Sequence, residues 1–149
     1  MDLTGQLREE SEKRWLAWRQ IAGEQGLQFE PDNTFLDELG RVWEASDYVV
    51  QSCTRDPHLL VELVDSGGLR RRYTAGEMAG RLREELAGVS LEADLHRRLR
   101  QVRRREMVRI IWRDLARSAN LDETLEDLSA LADAVVQQTL DLLYAWAVN

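Results

Sequence analysis

Residues 91–147 read LEADLHRRLRQVRRREMVRIIWRDLARSANLDETLEDLSALADAVVQQTLDLLYAWA. Residues 91–117 read as one long helix, with Leu91, Leu95, Leu99, Val102, Ile110, Ile111 and Leu115 apolar. From about Asp122 to Ala147 the repeat is Leu125, Leu128, Leu131/Ala132, Val135, Thr139, Leu142/Leu143 and Trp146. That is close to an ideal ~3.6-residue period over about seven turns. Ser118-Ala119-Asn120 is the turn between them. So short a connection between two long helices makes them antiparallel neighbours.

Charge divides the chain at the same places. Residues 1–96 hold 11 basic and 19 acidic side chains, 97–117 hold nine Arg against Glu106 and Asp114, and 118–149 hold six acids and no Lys or Arg. The net charge of −7 therefore conceals segments of −8, +7 and −6. Of the 20 basic residues only Lys13 is Lys. Clustered Arg suits a phosphate backbone. It also suits bidentate pairing with carboxylates on a neighbouring helix, and the acidic helix that follows favours this second reading. Exposed pairs contribute only about 0–1 kcal/mol each. The apolar stripe is therefore expected to supply most of the stability, and the charges to set orientation and register.

Working outward, the rest is also helical. Only Pro31 and Pro57 occur, and no strand alternation is sustained. Residues 3–22 place Leu7, Trp15, Trp18 and Ile21 on a helix face, ended by Gly23 and Gly26. Gln28 to Thr34 is a loop. A second helix spans about Thr34–Ala45, with Phe35, Leu39, Val42 and Trp43 apolar; Ser46 then marks either a fresh N-cap or a bend. Asp56 can cap a short helix from His58 to about Val64, with Pro57 at its first position, and Ser66-Gly67-Gly68 stops it. Thr74 and Glu77 have capping-box spacing for a helix to about Ala87, with Met78, Leu82 and Leu86 inward and Gly88 as the stop. The expected fold is all-α: one domain over 1–149, an antiparallel bundle of about five to six helices with two long C-terminal ones. Its parts are the N-terminal helix and loop (1–30), short helices (34–88) and the long pair (91–147).

Candidate chemistry is sparse. One cysteine, Cys53, excludes an intrachain disulfide, and with His58 and His96 it makes no zinc ligand set. Nothing near Cys53 in sequence lowers its pKa, so a small buried residue is expected. The histidines lack a Ser or Cys partner at a recognisable spacing. Gly76-Glu77-Met78-Ala79-Gly80 matches G-x-x-x-G, read here as close packing of two helices. Ser66-Gly67-Gly68 lacks the Lys and the strand of a phosphate loop. Ser46-Asp47 resembles the start of a metal-binding Ser-Asp-x-Asp, but position 49 is Val, so helix capping is the expectation. Glu10-x-Glu12 and Glu92-x-Asp94 lie two apart on helices and diverge. No catalytic, cofactor-binding or metal residue is expected in this chain. No stretch approaches the ~18 apolar residues of a membrane span. Met1–Glu10 has no apolar run of a signal peptide, so a cytoplasmic protein is expected.

The segment from Arg97 to Trp112, RRLRQVRRREMVRIIW, resembles the Arg-rich helix of bifunctional glutamine synthetase adenylyltransferase/adenylyl-removing enzymes. There, L-R-x-x-R-R-x-x-M-x-R-I-A-W precedes the first nucleotidyltransferase domain. Leu128 to Ala134 (LSALADA) is similar to the family's L-S-x-L-A-E/D. Ala45 to Val49 and Asp56 to Leu60 resemble its S-D-F-V and H-P-x-L-L elements. Four elements agree in order and spacing over roughly residues 40–147. The family's G-x-L-x-x-x-S-D-x-D strand, which bears the catalytic carboxylates, has no counterpart here. The resemblance thus implies the N-terminal helical part of the adenylyl-removing half, with Met1 a natural start and the chain ending before the catalytic strand. For the full enzyme it implies AMP transfer from ATP to a tyrosine of glutamine synthetase, phosphorolytic removal of that AMP, Mg2+ as cofactor, and control by glutamine and a PII signalling protein. The alternatives are a stand-alone helical interaction module and, behind it, a nucleic-acid binder using Arg100, Arg104 and Arg105.

Overall fold

The computed structural model describes residues 3–149 as seven helices joined by short loops. They are α1 (Leu3–Glu24), α2 (Asn33–Ala45), α3 (Asp47–Arg55), α4 (Pro57–Asp65), α5 (Glu77–Glu85), α6 (Glu92–Leu115) and α7 (Leu121–Val148). The count exceeds the five to six expected because Ser46 is a true cap and not a bend. Its backbone N–H donates to the Val42 carbonyl, closing α2, while its Oγ accepts from the Val49 N–H at 3.3 Å, opening α3. Asp32 caps α2 in the same way, accepting from the Phe35 N–H at 2.7 Å.

Other ends differ from expectation. Gly23 lies inside α1, which ends at Glu24; two residues on, Gly26, with a φ of +74°, lets the Leu27 N–H reach the Ala22 carbonyl at 2.9 Å. Asp56 makes no side-chain cap, although Pro57 does open α4. The Thr74–Glu77 box is half formed. Glu77 reaches back to the Thr74 N–H at 3.1 Å, but the Thr74 hydroxyl donates to Glu77 instead of accepting an amide, and α5 starts only at Glu77.

The end of α6 carries no glycine in sequence. Arg117 itself takes the left-handed conformation, φ +63°, so that the Ser118 N–H reaches the Arg113 carbonyl at 2.8 Å. A side chain there costs about 1–2 kcal/mol. Arg117→Gly is therefore expected to stabilise the protein by up to about 1 kcal/mol after the added backbone entropy of glycine. A shift of the urea midpoint upward at constant slope checks this.

Two apolar cores result. The first gathers α1–α4 on one side of α6, with Trp18, Phe35, Val42, Trp43, Val49, Leu60 and Leu63 around Val108 and Trp112. Aromatic rings fill it: Trp15 stacks on Trp18 with centroids 4.9 Å apart, and Phe35 on Trp112 at 5.2 Å. The Trp18 indole donates to the Cys53 carbonyl at 3.0 Å, tying α1 to α3. Leu7, expected inward, is half exposed, and Ser11 and Ala22 are buried in α1 instead. The second core packs α5 and α7 on the other side of α6, through Met78, Leu82, Leu86, Leu95, Ile110, Leu131 and Ala134.

α6 and α7 are antiparallel. Near the turn Arg113 meets Glu123 at 2.7 Å, and one turn further from it Arg109 meets Asp127 at 3.5 Å, so numbers fall on α6 as they rise on α7. The inward face of α7 is not the expected one. Leu131, Val135, Leu142 and Trp146 do face the core, but Leu125, Leu128 and Leu143 are substantially exposed, and Asp127 is buried in their stead. Leu91, expected inward at the start of α6, is 62% exposed. The reason is that α7 is apolar on two faces, and only one can meet α5 and α6.

Candidate functional site

α6 places Arg105, Arg109 and Arg113 one turn apart along the side that faces the α4–α5 connection. Periodicity assigns these charges to solvent, yet Arg109 is fully buried and Arg113 nearly so. Each is saturated. Arg109 Nε donates to the Gly68 carbonyl at 3.1 Å and Nη2 to the Arg71 carbonyl at 2.7 Å, while Nη1 reaches Asp127. Arg113 donates to the Leu69 carbonyl at 3.3 Å and pairs with Glu123. Arg105 grips both oxygens of Glu62, at 2.6 and 3.0 Å, and also touches Glu106. Three backbone carbonyls of the 68–71 stretch therefore end on two guanidinium groups.

Tyr73 completes the cluster. Its ring lies under Arg109, 3.4 Å from centroid to guanidinium carbon, and its hydroxyl donates to the buried Glu106 at 3.0 Å. Arg105 donates to the same hydroxyl. Burial and the charge of Glu106 push the Tyr73 phenol above its ordinary value, so it stays neutral. Burial pushes Arg109 down, opposed by Tyr73, Asp127 and Glu106. For Arg105 burial is outweighed by the hydrogen bond to Glu62 and the charge of Glu106, and the net direction is up. Such a network fixes a loop, its charged groups turned on one another and on the backbone carbonyls of 68–71.

Just beyond, Arg71 pairs with Glu77 through both carboxylate oxygens. That hydrogen bond, reinforced by the Thr74 N–H, lowers the Glu77 carboxyl from 4.5 to about 2. A depressed acid contributes stability that is present above its unfolded value and lost as pH falls through the folded one. The advantage of the native protein over Glu77→Gln is expected to be constant above about pH 5 and to disappear between pH 5 and pH 2. Thermal melts of both across that range check it; a gap unchanged at pH 2 contradicts it.

The remaining sequence candidates are placed apart from one another. Ser46 caps α3, and Asp47 accepts from Arg14 at 2.9 Å. Glu10 also pairs with Arg14, Glu92 lies 3.5 Å from His96, and Asp94 pairs with Arg97. His58 sits exposed, 3.7 Å from Asp56. Cys53 is fully buried, and burial together with Asp56 pushes its thiol up to about 12, so it is a packing residue. The G-x-x-x-G reading is overturned: Gly76 is the left-handed residue before α5, φ +80°, and a Cβ on Gly80 would meet nothing within 4 Å, so no helix closes on either. Nothing in the structure requires glycine at 80. Arg105 is committed to Glu62, leaving Arg100 and Arg104 of the expected nucleic-acid set without a partner among the described residues. No three His, Cys, Asp or Glu side chains among the described residues gather to hold a metal ion, so the residues present do not fit the Mg2+ that the resemblance implies. A groove of about 1190 Å3 between α5 and α7 is lined by Ala79, Ala130 and Ala134 together with Arg72, Arg83, Glu126 and Asp133, among others. Arg72 there is already paired with Glu123 and Glu126.

The architecture is thus a helical frame whose Arg-rich helix is turned inward on a clamped loop. The sequence profile of glutamate-ammonia ligase adenylyltransferase matches residues 36–149, which takes in most of α2, all of α3 to α7 and the whole clamp. The chain belongs to the glutamate-ammonia ligase adenylyltransferase family. Among its relatives is the bifunctional glutamine synthetase adenylyltransferase/adenylyl-removing enzyme of Pseudomonas syringae pv. tomato, 46% identical over 106 residues, which are 71% of this chain and 10% of that one. The enzyme of the same name from Nitrosococcus oceani is 44% identical over 111 residues, 74% of this chain and 12% of the relative. That from Shewanella loihica is 32% identical over 134 residues, 90% of this chain and 14% of the relative. The chain therefore spans about a tenth of the length of the adenylyltransferases it matches. No solved structure matches it. No helix among the described residues is long and apolar enough to cross a membrane.

Proposed function

We propose that this chain serves as helical scaffold in a glutamine synthetase adenylyltransferase/adenylyl-removing enzyme and carries no catalytic group itself. The observation that carries the reading is the clamp within the family-matched region. Its arginines, carboxylates and phenol engage one another and the backbone, leaving Arg113 Nε and one oxygen of Glu106 buried without a partner among the described residues, and the loop they hold is the α4–α5 connection. In this reading the full enzyme moves AMP from ATP to a tyrosine of glutamine synthetase and removes it with phosphate. It does so with Mg2+, in the cytoplasm, under PII and glutamine control, and the catalytic carboxylates lie on a strand outside the present residues. The partner is glutamine synthetase, and the chain contributes rigidity to the domain that meets it.

The test is to incubate the purified chain with adenylylated glutamine synthetase, phosphate and Mg2+. No ADP is expected. Release of ADP with loss of the AMP-tyrosine would overturn the assignment of an inert scaffold.

A second reading has one observation in its favour. The outward face of α7, through Leu121, Leu125, Leu128, Val136, Leu140 and Leu143, is exposed and apolar, as an interaction module requires. Reading the frame past codon 149 separates the two: a Gly-rich strand with Ser-Asp-x-Asp supports the scaffold, a stop codon the module.

A further inference from the structure

On the side of α6 away from the clamp, Arg100, Arg103 and Arg104 face α3, which presents Tyr48, Gln51 and Arg55 to them. Together they line a cavity of about 350 Å3 whose wall contains no Asp or Glu. This is unusual in a chain of net charge −7. It is also unlike the rest of α6, where Arg97, Arg98, Arg105, Arg109 and Arg113 each have a carboxylate or carbonyl partner. None of the four cavity arginines has one among the described residues. Four like charges brought together without compensation repel one another, and the fold holds them there on two packed helices.

The geometry points to a binding site for a small, multiply charged oxyanion. Guanidinium groups present forked donors that match the oxygens of phosphate and carboxylate groups two at a time. Tyr48 and Gln51 add neutral donors at the wall, and the volume is that of a small-ligand pocket of ~300–1,000 Å3. A duplex demands more. Its charges repeat every ~1.7 Å along an extended track, whereas here the track breaks off, because the next arginines along α6 are already bound to the protein's own acids and carbonyls.

Pyrophosphate is the probe, titrated by calorimetry into the whole chain at low salt, with citrate as the carboxylate arm. Saturable one-to-one binding of either is expected, weakening as salt is added. Arg100→Gln/Arg103→Gln/Arg104→Gln is expected to weaken it by about tenfold or more, since each removed charge deletes charge-assisted donors. The charge-matched Arg19→Gln/Arg41→Gln/Arg83→Gln leaves it within about twofold. Should the triple variant fail to fold, Arg100→Glu alone, at an exposed position, is expected to give a loss of the same order. Binding by pyrophosphate alone identifies a phosphate site, and binding by both an oxyanion site of wider scope. Three results overturn the proposal: no saturable binding, equal binding by the triple variant, or binding of duplex DNA that strengthens with its length while pyrophosphate shows none.

Discussion

Replacing Arg109 by methionine is expected to cost about 3–5 kcal/mol, the range for breaking a buried, hydrogen-bonded charge. Methionine approximates the volume of the side chain and loses none of the stem packing, so the cost isolates the head group. What is stranded decides the size. The carbonyls of Gly68 and Arg71 and the buried Asp127 all lose their donor at once, and Tyr73 loses the cation over its ring. Unsatisfied buried acceptors cost about 1–3 kcal/mol each, with partial relief from water. Arg109→Lys is expected to recover little, because one ammonium cannot reach donors spread over a planar fork. Urea unfolding followed by tryptophan fluorescence measures this. A loss below about 1 kcal/mol for methionine would show that the 68–71 stretch is held by other means.

The second large effect is expected at Trp112. Truncation to alanine removes a ring with no exposure that stacks on Phe35 and fills the first core, for about 3–5 kcal/mol. It also frees Glu38, a buried carboxylate on α2 whose Oε2 accepts from the indole N–H at 3.1 Å. Trp112→Phe separates the two contributions. It keeps most of the stacking and loses the donor, so its cost, about 1–3 kcal/mol, reports the unpaired Glu38 and the smaller ring. Equal losses for alanine and phenylalanine would place the whole effect on the hydrogen bond and none on packing.

Much of this fold was legible in the residues. The spacing from Leu91 to Trp146 fixes two long helices, and Ser118-Ala119-Asn120 makes them antiparallel; Asn120 proves to be the N-cap of α7. Ser46 and Pro57 mark real boundaries because capping chemistry is local. The clamp was not legible, for two reasons. Apolar periodicity treats every arginine as solvent-facing, whereas Arg109 and Arg113 are buried by partners 38 to 44 residues away in the chain. Those partners are mostly backbone carbonyls, which leave no mark on composition. The α7 reading went astray for a different reason. A helix with two apolar faces has one period but two possible cores, and only the acids decide: Glu123 and Asp127 must reach Arg113 and Arg109, which turns Leu125 and Leu128 outward. At the terminus of α6 the missing glycine hid a left-handed residue, Arg117. The family resemblance rested on an Arg-rich segment of which the structure turns Arg105 and Arg109 inward.

α6 contributes Val108 and Trp112 to one core and Leu95 and Ile110 to the other, on opposite sides of a single rod. Neither half can therefore come apart while α6 keeps both faces dry. Its central backbone amides, around Glu106 to Trp112, have no local opening available to them. They exchange their hydrogens with solvent only when the entire molecule unfolds, which makes them the slowest-exchanging amides of the chain and a direct reading of its global stability.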